Sequence, residues 1–423
     1  MPVKLSVKDV YKIFGKKPQE AISLLRSGDS KEAIFEATGQ TVGVQHANFE
    51  VEEGQIFVVM GLSGSGKSTL VRLLNGLIRP TSGEILIDGD DVASCSMSKL
   101  REIRRQKIAM VFQHFALFPH RSIVENAAYG LKVKGVKPAE RRERAMKALD
   151  LVGLSAWADS LPSALSGGMQ QRVGLARGLA TDPQILLMDE PFGALDPLIR
   201  KEMQDELLSL QKSMKKTIIF ITHDLNEALL LGDKIAIMKD GQIVQIGTAQ
   251  DIVSNPADDY VAAFVADIDR GRVFTAQSVA TEPSVMQLGS DTAGDAVKTM
   301  EDQNLNAVYV MDGAEIAGIV TYQTAATADR ESGTADVHLS DVMLTEYPTT
   351  DADTQLADLY GAASGGLPIA ITDADNRLTG VIEPEAVFAQ LSSDPPPLEN
   401  GADGMAPADP ARAIPAPEPD TAR

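Results

Sequence analysis

Gly61, Ser63, Gly64, Ser65, Gly66, Lys67, Ser68 and Thr69 fall in one unbroken run from 61 to 69. Glycines let a backbone curl until successive N–H groups point at a single anion, and a helix that starts there adds its partial positive charge. In such a cradle Lys67 reaches the outer phosphates of a nucleotide, and the Ser68 hydroxyl is placed for Mg²⁺. A second anion-binding helix start is legible in Leu165-Ser166-Gly167-Gly168-Met169-Gln170-Gln171-Arg172, through the Ser166 side chain and the amides of Gly167 and Gly168. Carboxylates come next: Asp189 and Glu190 follow the apolar run 185–188. One can hold Mg²⁺ while its neighbour, on the opposite face, takes a proton from attacking water. His223 follows another apolar run, 217–221. Read singly, an Asp-Glu pair is more often a loop start, His223 a structural donor, and Gln113 carries little meaning.

These groups need particular elements to hold them. The apolar segment 56–60 reads as a strand leading into the glycine loop, and 70–77 as the helix that follows. Runs 185–188 and 217–221 suit strands buried on both faces, which deliver polar residues at their C-terminal ends. Residues 4–10 alternate like an edge strand, and 42–51 reads as another. Between them lies an insertion, 16–40, with two helix-like pieces at 18–25 and 30–37, the second opened by Asp29 with Glu32 three residues on. From 98 to 153 the periodicity is mostly helical. Asp240-Gly241 between 234–238 and 242–246 signals a hairpin with a type I′ turn.

Composition narrows the function classes. At 423 residues, two or three domains are expected. No apolar run reaches membrane-spanning length, and the polar start is no signal peptide. With Cys95 the single cysteine and five scattered histidines, neither an internal disulfide nor a Cys/His metal cluster is expected. The net charge of −20 is uneven, because residues 270–423 hold 25 acidic and 7 basic side chains. Phosphate binding needs clustered Lys and Arg, so nucleic acid is not an expected partner of that region.

Taken in order, the glycine loop, Gln113, the Leu-Ser-Gly-Gly-Met-Gln-Gln run, Asp189-Glu190, Ala194-Leu195-Asp196 and His223 resemble the ATP-binding cassette family over essentially residues 1–250. The resemblance implies an α/β fold of the ABC-type P-loop NTPase over 1–268: a RecA-like core, an antiparallel β subdomain and a helical subdomain at about 97–178. ATP and Mg²⁺ are the implied cofactors. By the same resemblance Gly61 to Thr69 and Asp196 join the nucleotide site, with Lys67 clamping phosphate. Ser68, Gln113 and Asp189 attend the metal, Glu190 is the general base, and His223 is the γ-phosphate switch. Phe14 matches an adenine-stacking aromatic, its alternative being ordinary core packing. Ser166, Gly167 and Gly168 resemble the signature that completes the site of a facing protomer, so a homodimer of cassettes is implied.

The C-terminal part repeats with a period of about sixty residues, and resembles a tandem pair of CBS modules at 269–332 and 333–393. That family's ribose-binding form ends in aspartate; here Thr321 is followed by Thr324, and the second copy reads Glu383 and Ala386 in the matching places. Ribose binding of the usual sort is therefore not expected. Residues 394–423, rich in Pro, Ala, Asp and Gly, read as a disordered tail.

The insertion, Leu62-Ser63, Asp196-Pro197-Leu198-Ile199-Arg200 and the C-terminal repeats together resemble the glycine betaine, proline and choline importers. This implies a peripheral ATPase subunit at the cytoplasmic face of the inner (plasma) membrane. Its implied partners are integral permease subunits, touching Gln113 and the 115–121 loop, and a periplasmic or membrane-anchored substrate-binding protein. An ATPase for an amino-acid or other small-solute importer is the alternative. An ABC-type DNA-repair ATPase normally splits its cassette with a coiled coil, whereas Ser166 follows Lys67 by 99 positions without a heptad run.

Overall fold

The computed structural model describes residues 2–112, 116–193, 195–332 and 337–392. Gln113 and the start of the aromatic loop, Ala194, and the tail expected over 394–423 lie outside the described residues.

A six-stranded sheet organises the first part of the chain, in the order Gln242–Gly247, Lys234–Lys239, Ile56–Met60, Thr217–Ile221, Ile185–Asp189, Ile108–Val111. Only the first pair is antiparallel. All residues of Ile56–Met60 and Thr217–Ile221 are buried, as continuous apolar runs covered on both faces must be. The consequence is positional. Strands Ile56–Met60, Thr217–Ile221 and Ile185–Asp189 are parallel neighbours, so the glycine loop, Thr222-His223 and Asp189-Glu190 leave the sheet along one edge. Strand Ile108–Val111 interrupts the helical periodicity expected over 98–153, because Ile108 and Val111 bury themselves on this sheet.

A second, antiparallel sheet runs Thr41–Glu52, Val3–Phe14, Ser82–Ile87, Asp90–Asp91. The expected edge strand at 4–10 is thus interior. Alternation reports one solvated face, as Leu5 and Val7 point into the core; it does not report an unpaired edge. The insertion forms helices Pro18–Arg26 and Lys31–Thr38, which close a small core of Tyr11, Ile13, Ala21, Ile22, Ile34 and Val42. Its second helix is capped by Ser30, whose hydroxyl accepts from the Ala33 N–H, and not by Asp29 with Glu32. Asp240 and Gly241 both have positive φ, as the hairpin turn between Lys234–Lys239 and Gln242–Gly247 requires. Helices Ile123–Ala127, Pro138–Leu151 and Gly167–Leu179 pack together beside the large sheet.

The C-terminal part holds two three-stranded sheets of the same plan: Val285–Gln287, Ala307–Asp312, Glu315–Thr321, and Thr349–Asp351, Ile369–Thr372, Leu378–Ile382. In each the first pair is parallel and the second antiparallel. The helices start later than the repeat suggests. Thr292 and Asp295 form a capping box before Ala293–Gln303, and 349–351 is strand ahead of Leu356–Ala363.

Connecting segments are exchanged between the two units. Thr275 and Thr281 bridge to Gln355 and Val381 of the second, while His338 and Leu344 return to Thr292 and Ile319 of the first. Tyr309 ties the sheets together by donating its buried hydroxyl to the Pro368 carbonyl at 2.6 Å. Among the described residues no helix is long and apolar enough to cross a membrane.

Candidate functional site

A cavity of about 630 Å³ opens where the two sheets meet, lined by Phe14, the glycine loop, Lys67, Ser68, Glu190 and His223 among others. Helix Lys67–Leu74 begins there, after Gly66 in the left-handed region (φ +106°). A Cβ at Gly66 would sit 2.5 Å from the Gly43 carbonyl oxygen, so both the turn and the close approach require glycine.

Lys67 is 5% exposed, and its Nζ donates to the carbonyls of Gly61 (2.7 Å) and Leu62 (3.0 Å). Burial pushes its ammonium below the usual lysine value, against the raising influence of Glu190 and Asp189. The Ser65 hydroxyl is buried in the same loop without a hydrogen-bond partner among the described residues. A desolvated cation, an unpartnered hydroxyl and a run of loop amides form a donor set matched to phosphate, so the loop fits a nucleotide.

Glu190 lines the same cavity, and both it and Asp189 stand within electrostatic reach of Lys67. Asp189 ends its strand, and burial, then the neighbouring Glu190 charge, push its carboxyl above the ordinary range while Arg72 and Lys67 oppose this. A carboxylate raised in this way gains from a divalent cation, and Ser68 and Asp189 fit Mg²⁺ as oxygen donors. Glu190 has φ +44°, unusual for a side-chain-bearing residue, and is held by its N–H donating to the Ile221 carbonyl at 2.9 Å. Its Oε2 lies 3.1 Å from His223 Nδ1, within hydrogen-bond reach. Among the described residues Phe14 belongs to no core cluster. It is 42% exposed at the cavity, with Lys12 Nζ 5.1 Å from its ring centroid.

The structure therefore brings together Phe14, residues 61–69, Asp189, Glu190 and His223. Ser166, Gly167, Gly168 and Asp196 do not line the cavity. Ser166 caps helix Gly167–Leu179, accepting from the Met169 N–H, and Asp196 caps Pro197–Met214, accepting from the Ile199 N–H at 3.1 Å. In the C-terminal units, Thr321 accepts from the Thr324 N–H, and burial raises the Glu383 carboxyl.

Sequence reasoning missed two groups. Thr41, Val42 and Gly43 line the cavity, and a Cβ at Gly43 would meet the Phe14 ring at 2.8 Å. A glycine inside a strand is the signal that could have found them. The second is Glu227, 4% exposed, which accepts from Thr222 Oγ1 (2.6 Å) and Gln204 Nε2 (3.2 Å) with Arg200 Nε at 3.9 Å. Arg200 also reaches Asp224, so this network links the helix that follows Asp196 to the residues on either side of His223. No sequence signal marks it.

The ABC transporter family matches residues 44–193, and the CBS domain family matches 288–330. The glycine betaine transport ATP-binding protein OpuAA of Bacillus subtilis is 49% identical over 394 residues, 93% of this chain and 93% of the relative. ProV of Escherichia coli, a glycine betaine/proline betaine transport system ATP-binding protein, is 48% identical over 93% of this chain and 99% of its own length. Among solved structures, cbiO1 from Clostridium perfringens, part of the ABC transporter complex cbiONQ, superposes with a TM-score of 0.51 at 26% identity, covering 63% of this chain and 95% of that one. The chain belongs to the ABC transporter family, grouping within it with the glycine betaine transport ATP-binding proteins.

Proposed function

We propose that residues 1–268 form an ATP-hydrolysing domain that energises import of a quaternary-amine osmoprotectant, such as glycine betaine, proline betaine or choline, through separate membrane subunits. One observation carries the reading: a single cavity collects an exposed aromatic, a desolvated lysine, a helix N-terminus, a general-base candidate and a histidine. The names of the relatives supply the solute class.

When bound, MgATP supplies the phosphoanhydride whose hydrolysis releases the free energy used for transport. Phe14 stacks on the base. Lys67, donating to the Gly61 and Leu62 carbonyls, is placed to turn its ammonium to phosphate oxygens. Ser68, Asp189 and Gln113 would hold Mg²⁺, which would supply positive charge to the phosphate oxygens. Glu190 takes the proton of the attacking water, and His223, within reach of Glu190, reports the γ-phosphate. Because Ser166, Gly167, Gly168 and Asp196 stand outside the cavity, a second copy supplies them and the working unit is a homodimer with two composite sites. The groove beside Phe112 and Tyr129, with Arg101, Arg105, Lys134 and Arg177 on its walls, is the surface offered to the permease. Residues 269–332 and 333–393 act as CBS repeats whose connecting segments are exchanged. The chain works at the cytoplasmic face of the plasma membrane, with a substrate-binding protein as the third component.

The test is uptake of radiolabelled glycine betaine into proteoliposomes that contain this chain, its permease and the substrate-binding protein, with ATP trapped inside. ATP-dependent accumulation is expected, and Lys67→Ala should abolish it. Accumulation of an amino acid but of no quaternary amine would replace the solute class.

A further inference from the structure

The Gly61–Leu62 peptide of the phosphate loop is gripped at both ends. Its carbonyl accepts from Lys67 Nζ at 2.7 Å, and its N–H donates to the Tyr260 hydroxyl at 3.5 Å. That hydroxyl in turn donates to the Met238 carbonyl at 3.3 Å, at the end of the strand beside Ile56–Met60. One phenol thus clips the loop to the sheet from a residue that is not among those lining the cavity. Tyr260 lies on helix Asp259–Val265, 198 positions from Leu62 in sequence. Its ring is fixed edge-on by Phe264 (centroids 5.0 Å apart) and by Lys239 Nζ, 4.7 Å from the ring centroid. Val261 and Val265 of the same helix are buried in the large core. A few residues later the chain enters segment 270–276, where Phe274 and Ala276 share that core with Leu356 and Leu359 of the second C-terminal unit, and the Phe274 carbonyl accepts from the Leu356 N–H at 3.0 Å.

We propose that Tyr260 is a positioning residue of the nucleotide site: its hydroxyl holds the Gly61–Leu62 peptide in the orientation that lets Lys67 serve phosphate, and ties the loop to the helix leading into the C-terminal units. The inference rests on the reading of the cavity as a nucleotide site, and adds to it a contact from outside the glycine loop. A phenol suits the task because one oxygen both accepts from Leu62 and donates to Met238. Burial raises the Tyr260 hydroxyl above its usual value, so it stays protonated and keeps its donor at physiological pH. Lys67 changes partners when phosphate arrives, and at that moment the Leu62 N–H contact is what keeps the peptide from turning.

Tyr260→Phe in the full-length chain tests this, since it keeps the ring against Phe264 and removes only the hydroxyl. Hydrogen–deuterium exchange is followed at the Leu62 amide in nucleotide-free protein, and affinity is read by equilibrium titration with a fluorescent ATP analogue. Losing one hydrogen bond should speed exchange about fivefold and weaken nucleotide binding by a similar factor. ATPase activity at saturating nucleotide should change less than KM does. Unchanged exchange overturns the contact, and faster exchange with unchanged affinity overturns the positioning role. Lys67→Ala is measured alongside: if it binds the analogue like the wild type, the nucleotide reading fails, whereas the exchange measurement still decides whether Tyr260 holds the loop.

Discussion

Asn126 is fully buried on the short helix Ile123–Ala127, and nearly all its hydrogen-bonding capacity goes to one loop. Its Oδ1 accepts from the Phe118 N–H at 2.7 Å, and its Nδ2 donates to the carbonyls of Phe118 (3.1 Å), Arg121 (3.1 Å) and Ser122 (3.0 Å). This fixes the turn on which Arg121 lies over the rings of Phe118 and Tyr129, at 4.6 and 5.0 Å. Two amide hydrogens shared among three carbonyls amount to about two full bonds and the Phe118 N–H adds a third, each contributing about 1 kcal/mol net, so Asn126→Ala should cost about 3 kcal/mol. Asn126→Asp keeps the acceptor for Phe118 but sets a carboxylate against three carbonyl oxygens. Its folded pKa is therefore raised, and the extra destabilisation should be full above that value and shrink as pH falls and the carboxyl becomes a donor.

Trp157, the only tryptophan, gives the assay. It sits in a turn tied to the same helix, where Ile123 and Val124 donate to the carbonyls of Ser160 and Ala158. Its fluorescence during urea unfolding should report the loss, and the proteoliposome assay should show impaired uptake with nucleotide binding kept. An Asn126→Ala cost well under 1 kcal/mol, or an Asp variant as stable as the wild type at pH 7, would refute the reasoning.

Glu190→Gln should bind ATP and dimerise yet hydrolyse at least about a hundredfold more slowly, as loss of a general base implies; near-normal turnover removes Glu190 from that role. Glu227→Gln probes the buried network. Burial raises the Glu227 carboxyl above its unfolded value, so its contribution to stability is fully present below the unfolded value and falls as pH rises through the folded one. Urea midpoints of the glutamine variant should therefore improve relative to wild type between about pH 5 and pH 8, and a difference that does not vary with pH counts against it. Tyr309→Phe orphans the Pro368 carbonyl and should cost about 1–2 kcal/mol, visible as faster hydrogen exchange in strand Ile369–Thr372; unchanged exchange there would show that this bond is not what joins the two units.

The chemistry of the cavity was legible because it is built from short contiguous strings. The glycine loop, the Asp189-Glu190 step and the His223 strand end each carry their geometry in neighbouring residues. Parallel-strand logic then predicts that the ends of buried strands share an edge. Distributed features were not legible. Alternation at 4–10 could not say whether the strand had one neighbour or two. The cap of the second insertion helix turned on one residue, where Ser30 prevailed over Asp29. Asn126, Glu227 and Tyr260 matter through partners 4 to 198 positions away, and their side-chain types alone point nowhere. The repeat at the C-terminus was visible as strands and turns, but the destination of its connectors was not, because a bridge such as Thr275 to Gln355 leaves no local mark.

That exchange has a bearing on how the protein is made. Segment 274–281 leaves the ribosome before the first unit, yet the strands and helix that receive it, 355–359 and 378–382, emerge only after that unit. Its buried Phe274 must wait through the synthesis of about eighty residues before it finds Leu356. The first unit waits too, since His338 and Leu344 close it only after its own strands are complete. Neither half can mature alone, and a chain cut short before residue 355 carries an apolar segment without a home. Synthesis of residues 355–382, not of the cassette by itself, is the point at which that segment becomes safe from aggregation.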